Sequence, residues 1–227
     1  MDFFSYVSDQ FSTIFFNGQQ HFLLVAISVG IAAAISLVAG IVLHTNRLTP
    51  ESWSKPLRAG TREGLLLITS AALTVPSLAL FGLLVPLVGL AVAPSVTALT
   101  IYSIYPVLRN VVAGLSSVDD AVLESARGMG MGPIRRMARI QLPLAWPVIL
   151  SGLRVAVLIM IGIAVVAGTV SGPGFGSELF RGLSRLGATN SLNQILAATL
   201  GCLVVAAVYE VVFYVVQRLT TPRGIRV

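Results

Sequence analysis

Cysteine appears once in this 227-residue chain, at Cys202, which excludes an internal disulfide framework and a cysteine metal site. Charge is nearly as scarce: 11% of residues are Asp, Glu, Lys or Arg, 56% are hydrophobic, and mean hydropathy is +0.89. A soluble domain is excluded, and the chain reads as an integral membrane protein. From Gly64 to Leu108 no residue is charged, a run of 45. That is too long for one crossing and fits two with a tight turn, because about 20 apolar residues span a bilayer. Residues 1–20 hold no Lys or Arg but contain Asp2 and Asp9, so the basic start of a secretory signal is missing. No nucleophile–base pair, HExxH motif or paired carboxylates appear in a span, which leaves catalysis in this chain without support. The two histidines, His21 and His44, have no second ligand at metal spacing and are expected as interfacial anchors at the ends of a span.

What is present is apolar and helical in pattern. Phe3, Phe4, Tyr6, Phe11, Phe15 and Phe16 crowd residues 1–20, as in an aromatic belt leading into a membrane from its outer face. An all-α fold with five spans is expected, at about 21–43, 64–86, 94–114, 145–170 and 191–217. Spans two and three are joined by a turn near Gly89 to Pro94, and residues 218–227 form a tail. Pro76 and Pro106 lie inside the spans and can kink them where neighbours satisfy the freed carbonyls. The connections at 44–63, at 117–143 and in the tail hold eleven Lys or Arg: Arg47, Lys55, Arg58, Arg62, Arg127, Arg135, Arg136, Arg139, Arg218, Arg223 and Arg226. The N-terminus, the 87–93 turn and the 171–190 loop hold two, Arg181 and Arg185. Positive charge marks the cytoplasmic side, so the N-terminus is expected outside, and the C-terminus and the 117–143 loop inside. The +6 net charge is thus explained without a nucleic acid.

The hydrophilic stretch Ser117 to Pro143 organises the rest. Ser117 and Asp120 are spaced as a capping box, and Val118, Val122, Ser125 and Met129 mark one mostly apolar face of a helix. A break at Gly130-Met131-Gly132 follows, Pro133 opens a second short helix, and Leu142-Pro143 is expected to end it. Ile134, Met137 and Ala138 fall on one side of that helix, and Arg135, Arg136 and Arg139 mostly on the other. This elbow suits a groove on another protein, while its arginines also suit anionic lipid head groups.

The stretch resembles the EAA loop of ABC importer permeases, which reads Glu-Ala-Ala, three residues, Gly, nine residues, then Ile-x-Leu-Pro. Glu124-Ser125-Ala126, Gly130 and Ile140-Gln141-Leu142-Pro143 match it with both spacings intact, and Ser125 for Ala is the one departure. The run from Val75 to Leu115 and the segment GPGFGSELFRGL are similar to permeases of the osmoprotectant group, which import glycine betaine, choline, carnitine or proline betaine. Pro173 and Phe175 interrupt the Gly-Ala-Gly-Gly-Leu-Gly that this group often carries.

The resemblance implies a membrane pathway formed with a second permease subunit, identical or related. It also implies ATPase subunits that bind ATP and Mg on their own chains, and a separate periplasmic or lipid-anchored solute-binding protein. The chain itself is expected to hold no cofactor and no metal, and to lie in the bacterial cytoplasmic membrane. Glu124, Ser125, Ala126, Gly130, Met131, Ile134, Met137, Ile140, Leu142 and Pro143 would then form the ATPase-coupling set, with Met131, Ile134 and Met137 as the apolar anchors. Met129 belongs with them as adaptable packing for a partner groove. Gly172, Gly174 and Gly176 would make a flexible turn or an outer gate. Arg154 and Glu210, set within or close to spans, read as a structural pair or inner-vestibule residues, or as a substrate contact. An amino acid or other small solute, or ion-driven secondary transport, are the other readings.

Overall fold

A computed structural model describes residues 2–44 and 55–221; Arg47, Pro50, Arg223 and Arg226, and the side chains of Lys55, Pro56 and Arg58, fall outside what it describes. Every regular element among the described residues is helical: Phe3–Asp9 (α1), Phe11–His44 (α2), Lys55–Ala72 (α3), Ser77–Val88 (α4) and Val92–Ser116 (α5), then Asp120–Gly128 (α6) and Pro133–Arg136 (α7). A π-helical stretch, Met137–Gln141, joins α7 to Leu142–Ala164 (α8), which tightens to 3-10 pitch over Val165–Val170; Gly176–Ser184 (α9) and Ser191–Thr220 (α10) follow.

Among the described residues four helical rods are long and apolar enough to cross a bilayer: Phe11–His44, Val92–Ser116, Pro133–Val170 and Ser191–Thr220. Arg62–Ala72 and Ser77–Val88 meet at 92°, a bent pair that forms either a broken fifth span or a re-entrant loop. The single helix expected over 64–86 is therefore broken. Pro76 caps the start of α4 and disfavours helix at Val75. The freed carbonyl of Val75 accepts the buried Tyr102 hydroxyl at 2.9 Å, so the break is held from the neighbouring α5.

α5 is the hub. It packs along α2 and α8, and both approaches are set by small residues. Gly114 lies under Ala145 of α8, with only 2.9 Å between the Ala145 carbonyl oxygen and the place a Cβ would take. Gly152 of α8 is covered by Asn110, and Gly40 of α2 by Val111. Buried hydroxyls in this seam do not go unpaired: Ser28 donates to Leu24, Ser103 to Leu99, Thr100 across to Ser28 and Ser36 across to Ile104, all to backbone carbonyls. The outer faces are the opposite in character. Leu23, Ile27, Ile31 and Ile35 form an exposed apolar stripe on α2, and Leu196, Leu200, Leu203 and Val204 are exposed on α10. Faces of this size call for lipid or another protein rather than water.

Because Gly152 sits against Asn110, Gly152→Ala is expected to overpack the α5–α8 seam at about 1–3 kcal/mol and lower the unfolding temperature in detergent. Gly162→Ala, on the same helix with open space around it, is the control and should not lower it. Equal unfolding temperatures for the two variants would mean that Gly152 does not limit the approach.

Candidate functional site: the elbow and the glycine-rich segment

The elbow helix is capped two residues after the expected position. α5 runs to Ser116 and uses Ser117 to close its own end, the hydroxyl donating to Gly114 O at 2.9 Å. The cap of α6 passes to Asp119, whose carboxylate accepts from Ala121 N at 2.9 Å. The buried face differs too. Val118, Leu123 and Ala126 turn into the bundle, whereas Val122, Ser125 and Met129 are exposed. Glu124 is also exposed.

α6 closes with two backbone bonds, Gly130 N to Arg127 O (2.9 Å) and Met131 N to Ala126 O (3.1 Å), around Gly130 at φ +77°. This is the Schellman arrangement, and it needs a left-handed residue at the position Gly130 occupies. Pro133 is the first residue of α7. The expected stop at Leu142-Pro143 does not occur. Proline there lacks an N–H and would press on the carbonyl four residues back, and the wider π pitch of Met137–Gln141 absorbs it, so α7 and α8 form one rod.

The coupling set divides on the structure. Ile134 and Met129 are each 70% exposed. Met131, Ile140, Leu142 and Pro143 are half-buried, and Ala126 is fully buried. Met137 is not an outward anchor; it is buried and packs in the bundle core, because the rod turns that face inward. Arg127, Arg135 and Arg139 are exposed around the apolar pair.

The rod ends at the glycine-rich segment, opposite the elbow. Gly172, Gly174 and Gly176 are buried, and the segment is tightly packed rather than a flexible turn. A Cβ on Gly172 would lie 2.7 Å from the Ala167 carbonyl, and one on Gly176 2.7 Å from the Gly168 nitrogen. Gly174 has φ +104°, and its Cβ would stand 2.7 Å from Nδ1 of His21. His21 is fully buried, not an interfacial anchor, because α2 starts at Phe11 and carries it nearly three turns inward. Its Nε2 is 3.0 Å from Ile161 O, and Phe175 N–H points to its Nδ1 at 3.4 Å. His44 is half-buried at the end of α2.

Two further polar links appear. Arg154 of α8 and Glu210 of α10 form a two-contact ion pair, with Arg154 Nε donating to Glu210 Oε1 at 2.9 Å. Tyr6 and Glu178 carry a link that no local pattern announces: the Tyr6 hydroxyl donates to the buried Glu178 Oε1 at 2.7 Å, and Arg181 lies 3.8 Å from Oε2. Burial first, and then the Glu178 carboxylate, push the Tyr6 phenol well above its usual range, so it stays a donor. Asp2 caps α1, and its hydrogen bonds to Ser5 hold its carboxyl below the usual range. Beside α1 a cavity of about 800 Å³ opens between α2 and α10, with Phe175 in its wall.

Residues 56–224 match the family described as binding-protein-dependent transport system inner membrane component, and the chain belongs to that family. It is 32% identical to the osmoprotectant import permease protein OsmW of Salmonella typhimurium over 100% of both chains. Two Bacillus subtilis choline transport system permease proteins are also similar. The permease OpuBB is 33% identical, covering 89% of this chain and 85% of its own; OpuBD is 32% identical, covering 96% and 87%. The fold matches a chain of the inward-facing MetNI methionine ABC transporter with a TM-score of 0.76 at 16% identity, over 91% of this chain and 95% of that one.

Tyr6→Phe leaves Glu178 without its donor, a loss of about 1–3 kcal/mol for a buried acceptor. Faster chymotrypsin cleavage between Phe3 and Phe16 in detergent is expected. Cleavage at the unmodified rate would mean that this bond does not hold α1 in place.

Proposed function

We propose that this chain is a transmembrane subunit of an ATP-driven importer of osmoprotectants such as glycine betaine, choline or carnitine. The elbow carries this reading. Its Met129 and Ile134 stand exposed at the foot of a membrane-long rod, where an apolar surface needs a partner. Family membership and the named solutes of the relatives support the class and the substrate. The distribution of Lys and Arg supports an elbow on the cytoplasmic side, where an ATPase can reach it, and the family's description supports the bacterial cytoplasmic membrane.

Two ATPase subunits, each carrying ATP and Mg, would grip one elbow each, with Met129, Met131 and Ile134 seated in a groove. Closure of the ATPases moves the elbows, and the rods tilt between inward-open and outward-open arrangements. A second permease subunit completes the pathway, and the occurrence of OpuBB beside OpuBD supports a related partner as well as an identical one. A separate solute-binding protein delivers at the other face. Recognition of a quaternary ammonium through aromatic faces belongs to that protein.

The experiment is to tag the chain, crosslink in native membranes and identify what co-purifies. An ATPase crosslinked within residues 117–143 is expected. Recovery of the chain alone would overturn the reading. Gly130→Val forces a β-branched residue into the left-handed region at a cost of about 1–2 kcal/mol, close to tenfold in an association constant. It is expected to insert normally and to recover roughly a tenth as much ATPase; unchanged recovery would count against the elbow as the docking site.

A further inference from the structure

His21, carried on α2, meets two other parts of the chain, the rod and the glycine-rich segment, and the transport reading above gives their meeting a use. We propose that His21 is a positioning residue that fastens the far end of the Pro133–Val170 rod to α2 and to the glycine-rich segment. Displacement of the elbow is thereby delivered to that segment. The proposal rests on the transport reading.

The imidazole has both nitrogens occupied in a fully buried site. Phe175 N–H points to Nδ1, so the proton is on Nε2 and is donated to Ile161 O. The acceptor is well chosen. In an unbroken α-helix Ile161 O would take the N–H of Val165, which is where the rod tightens to 3-10 pitch. His21 therefore sits at the joint of the rod. A Cβ on Gly174 would stand 2.7 Å from Nδ1, and the Phe175 ring stands 5.7 Å from the imidazole. The Phe175 ring also covers Gly201, which ties the segment to α10. A second fastener lies close by: Ala91 N–H donates to Val170 O at 2.9 Å, joining the last residue of the rod to the turn before α5. With 38 residues at 1.5 Å each, the rod is roughly 55 Å long. It presents an uncovered apolar face at the elbow and buried hydrogen bonds at the other end.

The test uses the assembled complex with its ATPase and binding protein in liposomes, with radiolabelled glycine betaine and choline as probes. The readout is solute taken up per ATP hydrolysed, for His21→Ala, His21→Asn and His21→Gln. Gln keeps an N–H donor at the reach of Nε2, while Asn keeps only a group at the place of Nδ1. His21→Ala and His21→Asn are expected to lower uptake per ATP by about tenfold, the size of a typical coupling between sites, while ATPase co-purification is unchanged and Gln restores much of the loss. Uptake per ATP at the unmodified value in Ala and Asn, with only the unfolding temperature lowered, would reduce His21 to a structural role and overturn the proposal. If the Ala variant does not accumulate, the Asn and Gln variants decide. A lowered ratio in Asn with recovery in Gln supports the fastener, and an unchanged ratio in Asn, or an equal loss in both, overturns it. Absence of uptake by the unmodified complex would instead sink the transport reading.

Discussion

A backbone carbonyl released from its helix inside a bilayer has no water to turn to, and this constraint accounts for three of the long-range polar contacts of the chain. Three interruptions are answered by a donor from another element. Tyr102 answers the break at Val75, His21 answers Ile161 ahead of the 3-10 stretch, and the Ala91 N–H answers Val170. Pro143 is met differently, by a local widening to π pitch within the same rod. The breaks are thus the most closely held points of the spans rather than soft ones.

The same constraint explains why α5 is the hub. Helices in lipid gain little from burying apolar surface against one another, so packing and close backbone approach decide which pairs associate. Gly40, Gly114 and Gly152 lie where α2 and α8 cross α5, each within contact of a partner side chain or carbonyl. The broken pair α3 and α4 leans on α5 and on the 3-10 stretch, and the large exposed residues Leu67, Ile68, Leu78 and Leu83 leave it open on the other side. A rod packed on a fixed hub can tilt, and the open face beside the broken pair leaves room for a second subunit.

Local chemistry made much of this legible. Gly130 and Pro133 mark the elbow turn, and Gly89 to Ala91 falls within the stretch expected to turn. The errors share one physical origin. Over nine residues of α6, Val122, Leu123, Ser125 and Ala126 allow two overlapping faces, and only the bundle decides that Leu123 and Ala126 turn inward. His21 looked terminal because the expected span began there, yet the helix starts ten residues earlier, at Phe11. Tyr6 and Glu178 meet across 172 positions, a distance at which no periodicity speaks. Clustered glycines read as flexibility, whereas at Gly172, Gly174 and Gly176 they serve close approach.

The burial of Met137 gives the elbow a clearer mechanical role than a row of three apolar anchors would. With Met137 and Gln141 buried in the bundle and Ile134 exposed about one turn earlier, the π stretch is the anchored part, and α7, which buries no residue of its own, projects from it. In the proposed coupling role a partner pressing on Ile134 pushes on a short helix that continues directly into that anchored stretch, so displacement passes into the rod. Had Met137 faced outward, the join between α7 and α8 would lack this anchor and α7 would pivot under the partner. Burial at one turn and exposure at the next is the arrangement the proposed coupling role requires, and it depends on the register that the π stretch imposes ahead of Pro143.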